Sequence, residues 1–394
     1  FANPYLQHIF AVGNDGTLTC TPYPTGFGTV KSGYQAAKNV LSVGSYNVVV
    51  NVISGFSSKG PVNDGRIKPE ILASGGQVEG TNINNGYYNN TGTSCAAPGV
   101  TGIWTLLTQR YKQLNGSNPK SGLLKNVLCN TANDIGNPGP DYRAGFGFVN
   151  AQRAVQMLEQ NRYYSNSVST GGNHTQVIAV PAGTKQLKLM LYWHDREGLP
   201  NNMNALENDL DLTVTDGSVY EPWILNPAPA SVNNNAVRGA DHLNNIEQVT
   251  IDNPGTSVSI NVNGFNVSGS QEFFVTYEFI QPELTLLYPY GGERFSSFAS
   301  SGRQEAISWE ANDGSSDTYR LEYSLDDGGT WQLIADGIAA TDFRYFWTVP
   351  AVNSNKAKVR IKRTSGSVYS TSPGNFVIAD QPTLSATVPC EGYV

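Results

Sequence analysis

Residues 91–100 read TGTSCAAPGV, and the following run to residue 114 (SCAAPGVTGIWTLLTQRYKQL from Ser94) carries apolar residues at helical spacing. A helix starting near Ser94 tolerates Pro98 in its first turn. A helix start leaves backbone N–H groups without intrahelical partners and carries partial positive charge. A serine there lies beside ready donors for a developing oxyanion. The small residues around it (Gly92, Cys95, Ala96, Ala97) let another backbone approach closely.

Outward from this stretch, HIFAVGN (8–14) and KNVLSVGS (38–45) are short, continuously apolar runs of the kind that form buried parallel strands. Two further helical patterns follow at SGLLKNVLCNTA (121–132) and NAQRAVQMLEQN (150–161). Alternating strands and helices predict an α/β layered domain over residues 1–161. Asn14 ends the first strand next to Gly13, and an Asn amide at that place is a suitable second oxyanion donor. Taken singly, Ser94 also reads as a helix cap and Asn14 as a turn residue.

Four segments together carry a specific resemblance. AVGNDG (11–16), FSSKGPVNDGRIKPEILASGG (56–76), GTSCAAPGVTG (92–102) and NTANDIGNPGPDYRAGFGFVNAQRAV (130–155) resemble, in order and separation, the C-terminal two-thirds of a subtilisin-like (subtilase) catalytic domain. The resemblance implies a three-layer α/β fold with Ser94 as nucleophile. It implies an oxyanion hole made by the Asn14 side-chain amide and the Ser94 N–H, and a first specificity pocket lined by Ala11, Val12 and Gly13. Family members place their aspartate and histidine motifs earlier, and only 13 residues precede Asn14 here. His8 lies on the strand leading to Asn14, and His174, His194 and His242 lie beyond residue 161, so none is placed as the base. The aspartate and histidine are therefore expected from an N-terminal part of the same precursor. The opening FANPYLQHIF lacks a start methionine and QPTLSATVPCEGYV reads as the start of another module, which is the expectation for an internal segment.

After residue 161 the helical period disappears. KQLKLMLYW, DLDLTVT, EQVTIDN, SVSINVNGF and QEFFVTYEF alternate with period two and are separated by Asn/Gly/Pro clusters. Residues 162–282 are expected to form a β-sandwich, and LYWHD, LENDLDLTV and ADHLNNIEQVTID resemble the jelly-roll domain that follows the catalytic domain of kexin-like and related bacterial subtilases. Oxygen-bearing side chains gather at its loop ends: Asp195, Asn208, Asp209, Asp211, Asp241, Asn245 and Glu247. Such ligands suit a structural Ca²⁺, with Asp209 and Asp241 as the named candidates. Residues 283–378, with a Trp on an early strand and the turn SLDDGGTW, resemble an immunoglobulin- or fibronectin-like sandwich, and 379–394 a linker or further module.

Bulk properties narrow the function classes. The net charge of −7 over 394 residues and the absence of a Lys/Arg cluster exclude a nucleic-acid surface. No apolar run reaches the roughly 18 residues of a membrane-spanning helix. Charged residues amount to 14%, and the turn-rich composition is that of extracellular or cell-surface chains. The cysteines (Cys20, Cys95, Cys129, Cys390) lack zinc-site spacing, and Cys95 is expected buried and free. The expected function is a secreted or surface-attached serine endopeptidase acting on protein or peptide. The alternative is a non-catalytic protease-like surface or assembly component.

Overall fold

The computed structural model describes residues 3–31, 33–198, 202, 204–296, 304–312 and 315–379. The apolar runs at 8–14 and 38–45 become β1 (Ile9–Ala11) and β2 (Leu41–Asn47), paired in parallel with Ile9 opposite Leu41. The short β3 (Val52–Ile53) runs antiparallel to β2, and β4 (Ile71–Ser74) pairs parallel with it. β1 is therefore an edge strand of this sheet among the described residues. A two-stranded hairpin, β5 (Val78–Asn82) and β6 (Gly86–Asn90), precedes α1 (Thr93–Asn115). Gly116, in the left-handed conformation, terminates α1, as glycine does where the chain must leave a helix. α2 (Ser121–Asn130) and α3 (Ala151–Glu159) complete the helices.

All three helices share one core with one face of the sheet. Leu41, Val43, Ile71 and Ala73 meet Ala96 and Val100 of α1, Leu124 and Leu128 of α2, and Ala154 and Met157 of α3. The opposite face, with Tyr46 and Leu72, carries only Ala144 and loop residues such as Ile135 and Phe148. The expected three-layer arrangement is thus two-layered among the described residues, because no described helix covers that second face.

The chain continues through β7 (Tyr163–Val168), β8 (Asn173–Ala179), β9 (Gln186–Tyr192), β10 (Asp209–Asp216), β11 (Ser218–Tyr220), the small ladder β12 (Trp223–Ile224) and β13 (Val237–Arg238), β14 (Ile246–Asp252), β15 (Ser257–Asn266) and β16 (Gln271–Ile280). Two four-stranded antiparallel sheets result, in the orders β11-β10-β15-β8 and β14-β9-β16-β7. Their inner faces pack Leu189, Leu191, Leu210, Leu212, Ile260 and Val275 together, as period-two alternation requires.

This sandwich is not a separate body. Residues Phe1–Ile280 form one compact unit, which merges the two regions expected at 1–161 and 162–282. The outer face of the second sheet (Met190, Tyr192, Ile246, Phe274) joins the helical core, so every residue of α2 is buried. Asn126 Nδ2 donates to the carbonyls of Met190 (3.1 Å) and Phe274 (2.8 Å), and Asn130 Nδ2 to Thr276 Oγ1 (3.1 Å). Lys38 Nζ reaches Asp195 Oδ2 at 2.5 Å in a buried ion pair.

His194 lies in the same seam, with Nε2 3.4 Å from Ser121 Oγ and its ring edge-on to Tyr192. Burial, aided by the Lys125 charge, lowers its pKa from 6.5 to about 4. The folded protein therefore binds fewer protons here than the unfolded chain. The stabilising contribution is complete above pH 6.5 and is lost as pH falls toward 4, about 3 kcal/mol in all. His194→Gln is expected to flatten the loss of urea stability between pH 7 and pH 4.5 by about that amount. An unchanged pH slope in the variant refutes the assignment.

The second unit, Gln281–Val394, is all-β where described. It comprises β17 (Leu284–Tyr288), β18 (Arg294–Ser296), β19 (Glu305–Ala311), β20 (Tyr319–Ser324), β21 (Gln332–Ile338), β22 (Arg344–Trp347), β23 (Ser354–Arg363), β24 (Tyr369–Thr371) and β25 (Phe376–Ala379). A three-stranded sheet (β17-β19-β22) and a six-stranded one enclose Leu286, Trp309, Leu321, Val359 and Phe376. In the 325–331 turn the Asp326 carboxylate accepts from Thr330 N, Thr330 Oγ1 and Ser324 Oγ, each within 2.8 Å, so the acidic turn is a self-capped hairpin loop. The expected linker or further module beyond Ala379, Cys390 included, lies outside the described residues.

Candidate active site

α1 starts at Thr93 with Gly92 as its cap and no side-chain cap of its own, so its first N–H groups look outward for partners. Asn14 answers from the loop after β1. Its Oδ1 accepts from Thr93 N at 3.0 Å and from Thr93 Oγ1 at 2.9 Å, while Thr93 Oγ1 accepts from Gly13 N at 3.3 Å. With its oxygen committed to the helix start, the Asn14 amide keeps Nδ2 as a donor for another group.

Gly92 locates the space that this donor shares. A methyl group placed on Gly92 would stand 3.0 Å from Ser94 Oγ, 3.6 Å from Asn14 Nδ2 and 3.7 Å from Ser94 N. One hydroxyl and two N–H donors thus border one small volume that only glycine leaves open. Ser94 is exposed, and its Oγ is hydrogen-bonded to no described residue. This is the arrangement that an attacking oxygen and an oxyanion hole require.

The serine-rich segment holds the Asn14 loop in place. Ser58 N donates to Gly13 O (2.9 Å), Asp15 N to Ser58 Oγ (3.0 Å) and Gly16 N to Phe56 O (2.8 Å). A side chain at Gly16 would come within 2.2 Å of Ser57 O, so the two loops touch backbone to backbone. Of the expected pocket residues, Ala11 and Gly13 are half-buried. Val12 turns its side chain into a cluster with Val30 and Val62, which leaves only its main chain to meet a bound peptide.

Each of the four histidines is engaged elsewhere. His8 stacks on Phe10, His174 meets Asn166, His194 meets Ser121, and His242 meets Asp209. Cys95 is free but half-buried, a correction to the expected full burial, since its neighbours Ala96 and Ala97 take the inward positions. Cys20 is also free and half-buried. Cys129 is free and buried, its thiol pushed up to about 12 by burial.

The two metal candidates part company. Asp241 Oδ1 accepts from Leu243 N and Asn244 N, and Oδ2 from Asn244 Nδ2, which makes it the cap of its own turn. Asp209 instead joins Asp211 and His242, whose ligand atoms all lie within 4.8 Å of one another. Sequence reasoning passed over two residues that matter. Thr93, between Gly92 and the serine, has a hydroxyl signal visible only as a residue type. His242 read as a loop histidine because its partners lie some 30 residues away.

Comparison with known proteins fits this geometry. The profile of the subtilase family matches residues 6–147. The chain is 31% identical over 191 residues to the PII-type proteinase of Lacticaseibacillus paracasei, covering 39% of this chain and 10% of that protein. It is 37% identical over 126 residues to the PII-type proteinase of Lactococcus lactis subsp. cremoris, covering 28% and 7%. It is 27% identical over 226 residues to the membrane-bound transcription factor site-1 protease of Homo sapiens, covering 55% and 20%. The chain thus spans a tenth or less of the length of the two bacterial proteinases. Among solved structures, the prenylagaramide maturation protease PagA is 29% identical with a TM-score of 0.31, covering 39% of this chain and 50% of that one.

Proposed function

From the membership of residues 6–147 in the subtilase family we infer that this chain is the serine-bearing part of a serine endopeptidase. The observation that carries the reading is the convergence of Ser94 Oγ, Asn14 Nδ2 and Ser94 N on the space beside Gly92. Ser94 Oγ attacks the scissile carbonyl carbon and gives its proton to a histidine. The two N–H donors hold the oxyanion of the tetrahedral intermediate. Collapse then expels the amine, which takes the proton, and leaves an acyl-enzyme that water hydrolyses. The histidine and its aspartate come from an N-terminal part of the precursor. Supporting this, among the described residues β1 is a sheet edge with half-buried residues, and the face bearing Tyr46 and Leu72 has no helical cover.

In the same proposal the 163–280 sandwich is the jelly roll that braces the catalytic part, and 284–379 is an immunoglobulin-like module. The protein is secreted or surface-attached and acts on protein or peptide. Composition supports this, and no described helix is long and apolar enough to cross a membrane. The donors around Asp209 do not fit the expected calcium, which takes six to eight oxygens, because one of the three is an imidazole.

Fluorophosphonate labelling of the native protein, read out by peptide mass spectrometry, tests the nucleophile. An adduct on Ser94 is expected when the histidine-bearing part is present. No adduct, with a subtilisin labelled in the same tube, would favour a binding role for the fold. Asn14→Ala is expected to lower kcat about 10²–10³-fold with little change in KM, the range known for a subtilisin oxyanion asparagine. Unchanged turnover would mean that the oxyanion hole lies elsewhere.

A further inference from the structure

We propose that Asp209, Asp211 and His242 form a binding site for a divalent cation of the zinc class, built on the outer edge of the 163–280 sandwich. Asp209 and Asp211 alternate with Leu210 and Leu212 on β10, so the leucines enter the sandwich core and both carboxylates share the outer face. His242 comes from the loop before β14. Its Nδ1 lies 2.8 Å from Asp209 Oδ2 and 3.8 Å from Asp211 Oδ1. These separations bracket the roughly 3.3 Å edge of a tetrahedron with bonds of about 2.0 Å. The imidazole stacks on Phe265 with ring centroids 4.3 Å apart, which fixes its plane, and its half-exposed edge leaves an entry path.

A second observation points to a cation. Asp209 is 7% exposed, yet its Oδ1 has no hydrogen-bond partner, and Asp211 Oδ1 is likewise buried and unpartnered. Glu247, 1% exposed, sends its carboxylate from β14 across to the same strand. There Oε2 accepts from Leu212 N at 2.7 Å while Oε1 has no partner. Three buried carboxylate oxygens on β10 and the facing β14 thus lack a hydrogen-bond partner, two of them in the Asp209–Asp211–His242 cluster. Buried carboxylate oxygens without a partner are costly, and a divalent ion supplies one.

The donor set selects the ion. One imidazole and two carboxylates suit zinc and its neighbours, whereas calcium is held by oxygens. The ion has a structural consequence, because the loop that carries His242 also contacts the catalytic part. Asn244 Oδ1 accepts from Ile67 N at 2.9 Å, and Asn245 Nδ2 donates to Asn39 Oδ1 at 3.0 Å. An ion joining His242 to β10 therefore clamps that loop in its docked position. This inference is independent of the protease reading.

The test is a Zn²⁺ titration of the chelator-stripped chain by calorimetry, with Ca²⁺ as the comparison ion, on the unaltered protein, His242→Gln and Asp211→Asn. The expected result is one equivalent of Zn²⁺ bound and a melting temperature about 5 °C higher at a hundredfold excess over Kd. Affinity is expected to fall at least about 100-fold in either variant whose circular dichroism shows it folded. A Co²⁺-loaded sample is expected to show the visible absorption of a low-coordinate N/O site in the unaltered protein only. No saturable zinc binding, zinc binding unchanged in a folded variant, or calcium binding of equal affinity overturns the proposal.

Discussion

Replacing Ser94 with alanine in a protein that carries the proposed histidine-bearing part is expected to lower peptide-bond hydrolysis about 10⁶-fold, the loss recorded when subtilisin's own nucleophile is removed. The size of the effect follows from the triad acting as a unit: without the hydroxyl there is no acyl-enzyme, and only the oxyanion donors and substrate binding remain. Stability is expected to stay within about 0.5 kcal/mol. Ser94 is exposed, its Oγ holds no described partner, and the helix cap is Gly92, so alanine removes no contact and suits a helix well. The measurement pairs hydrolysis of a fluorogenic peptide with a thermal melt. Activity within tenfold of the unaltered protein would remove Ser94 from the mechanism, whereas a lowered melting temperature with proportionate activity loss would make it a structural residue.

The largest expected loss of stability comes from Glu70→Gln. The Glu70 carboxylate, just before β4, receives Lys125 Nζ of α2 at 2.8 Å, the Lys68 ammonium, and Ser42 N of β2 at 2.7 Å. Lys125 also donates to the carbonyls of Lys38 (3.0 Å) and Val40 (2.8 Å). All three charged side chains are at most 3% exposed. Burial opposes ionisation of Glu70, but the two lysines outweigh it and hold its pKa below the usual value. Burial brings Lys68 down to about 7. Glutamine keeps the shape and leaves Lys125 buried without a counter-charge, which costs about 3–5 kcal/mol, or about 10 °C in melting temperature. Urea unfolding followed by far-UV circular dichroism measures this directly. A change below about 1 kcal/mol would show that the buried cluster does not depend on the Glu70 charge.

Much of the site was legible in the chain itself. Ser94 at the start of a helix and Asn14 at the end of a strand were named from residue type and local period, because helix starts and strand ends are properties of a few consecutive residues. The existence of β1 and β2 followed from their continuous apolar character, and their parallel pairing came from the structure. Thr93 was not legible as the residue that orients Asn14, since its hydroxyl acts across a separation of 79 residues. The metal candidates divide for the same reason: Asp209 meets a remote histidine and Asp241 does not. Asp241 looked like a ligand and is occupied by its own turn, while His242 read as a loop histidine and meets two carboxylates of a distant strand.

The sequence by itself determined the α/β character of the first 161 residues and the β character of the rest, and it made Ser94 and Asn14 candidates for the proposed chemistry. These depend on local period, turn residues and helix starts, which act within about ten residues. Only the tertiary structure decided that the sandwich and the catalytic part are one body. The residues that join them, Asn126 and Asn130, lie on the helix that the sequence pattern places at 121–132. Burying them is tolerable only where strand carbonyls and the Thr276 hydroxyl from remote segments accept their hydrogen bonds. Those acceptors exist only once the strands have assembled around the helix.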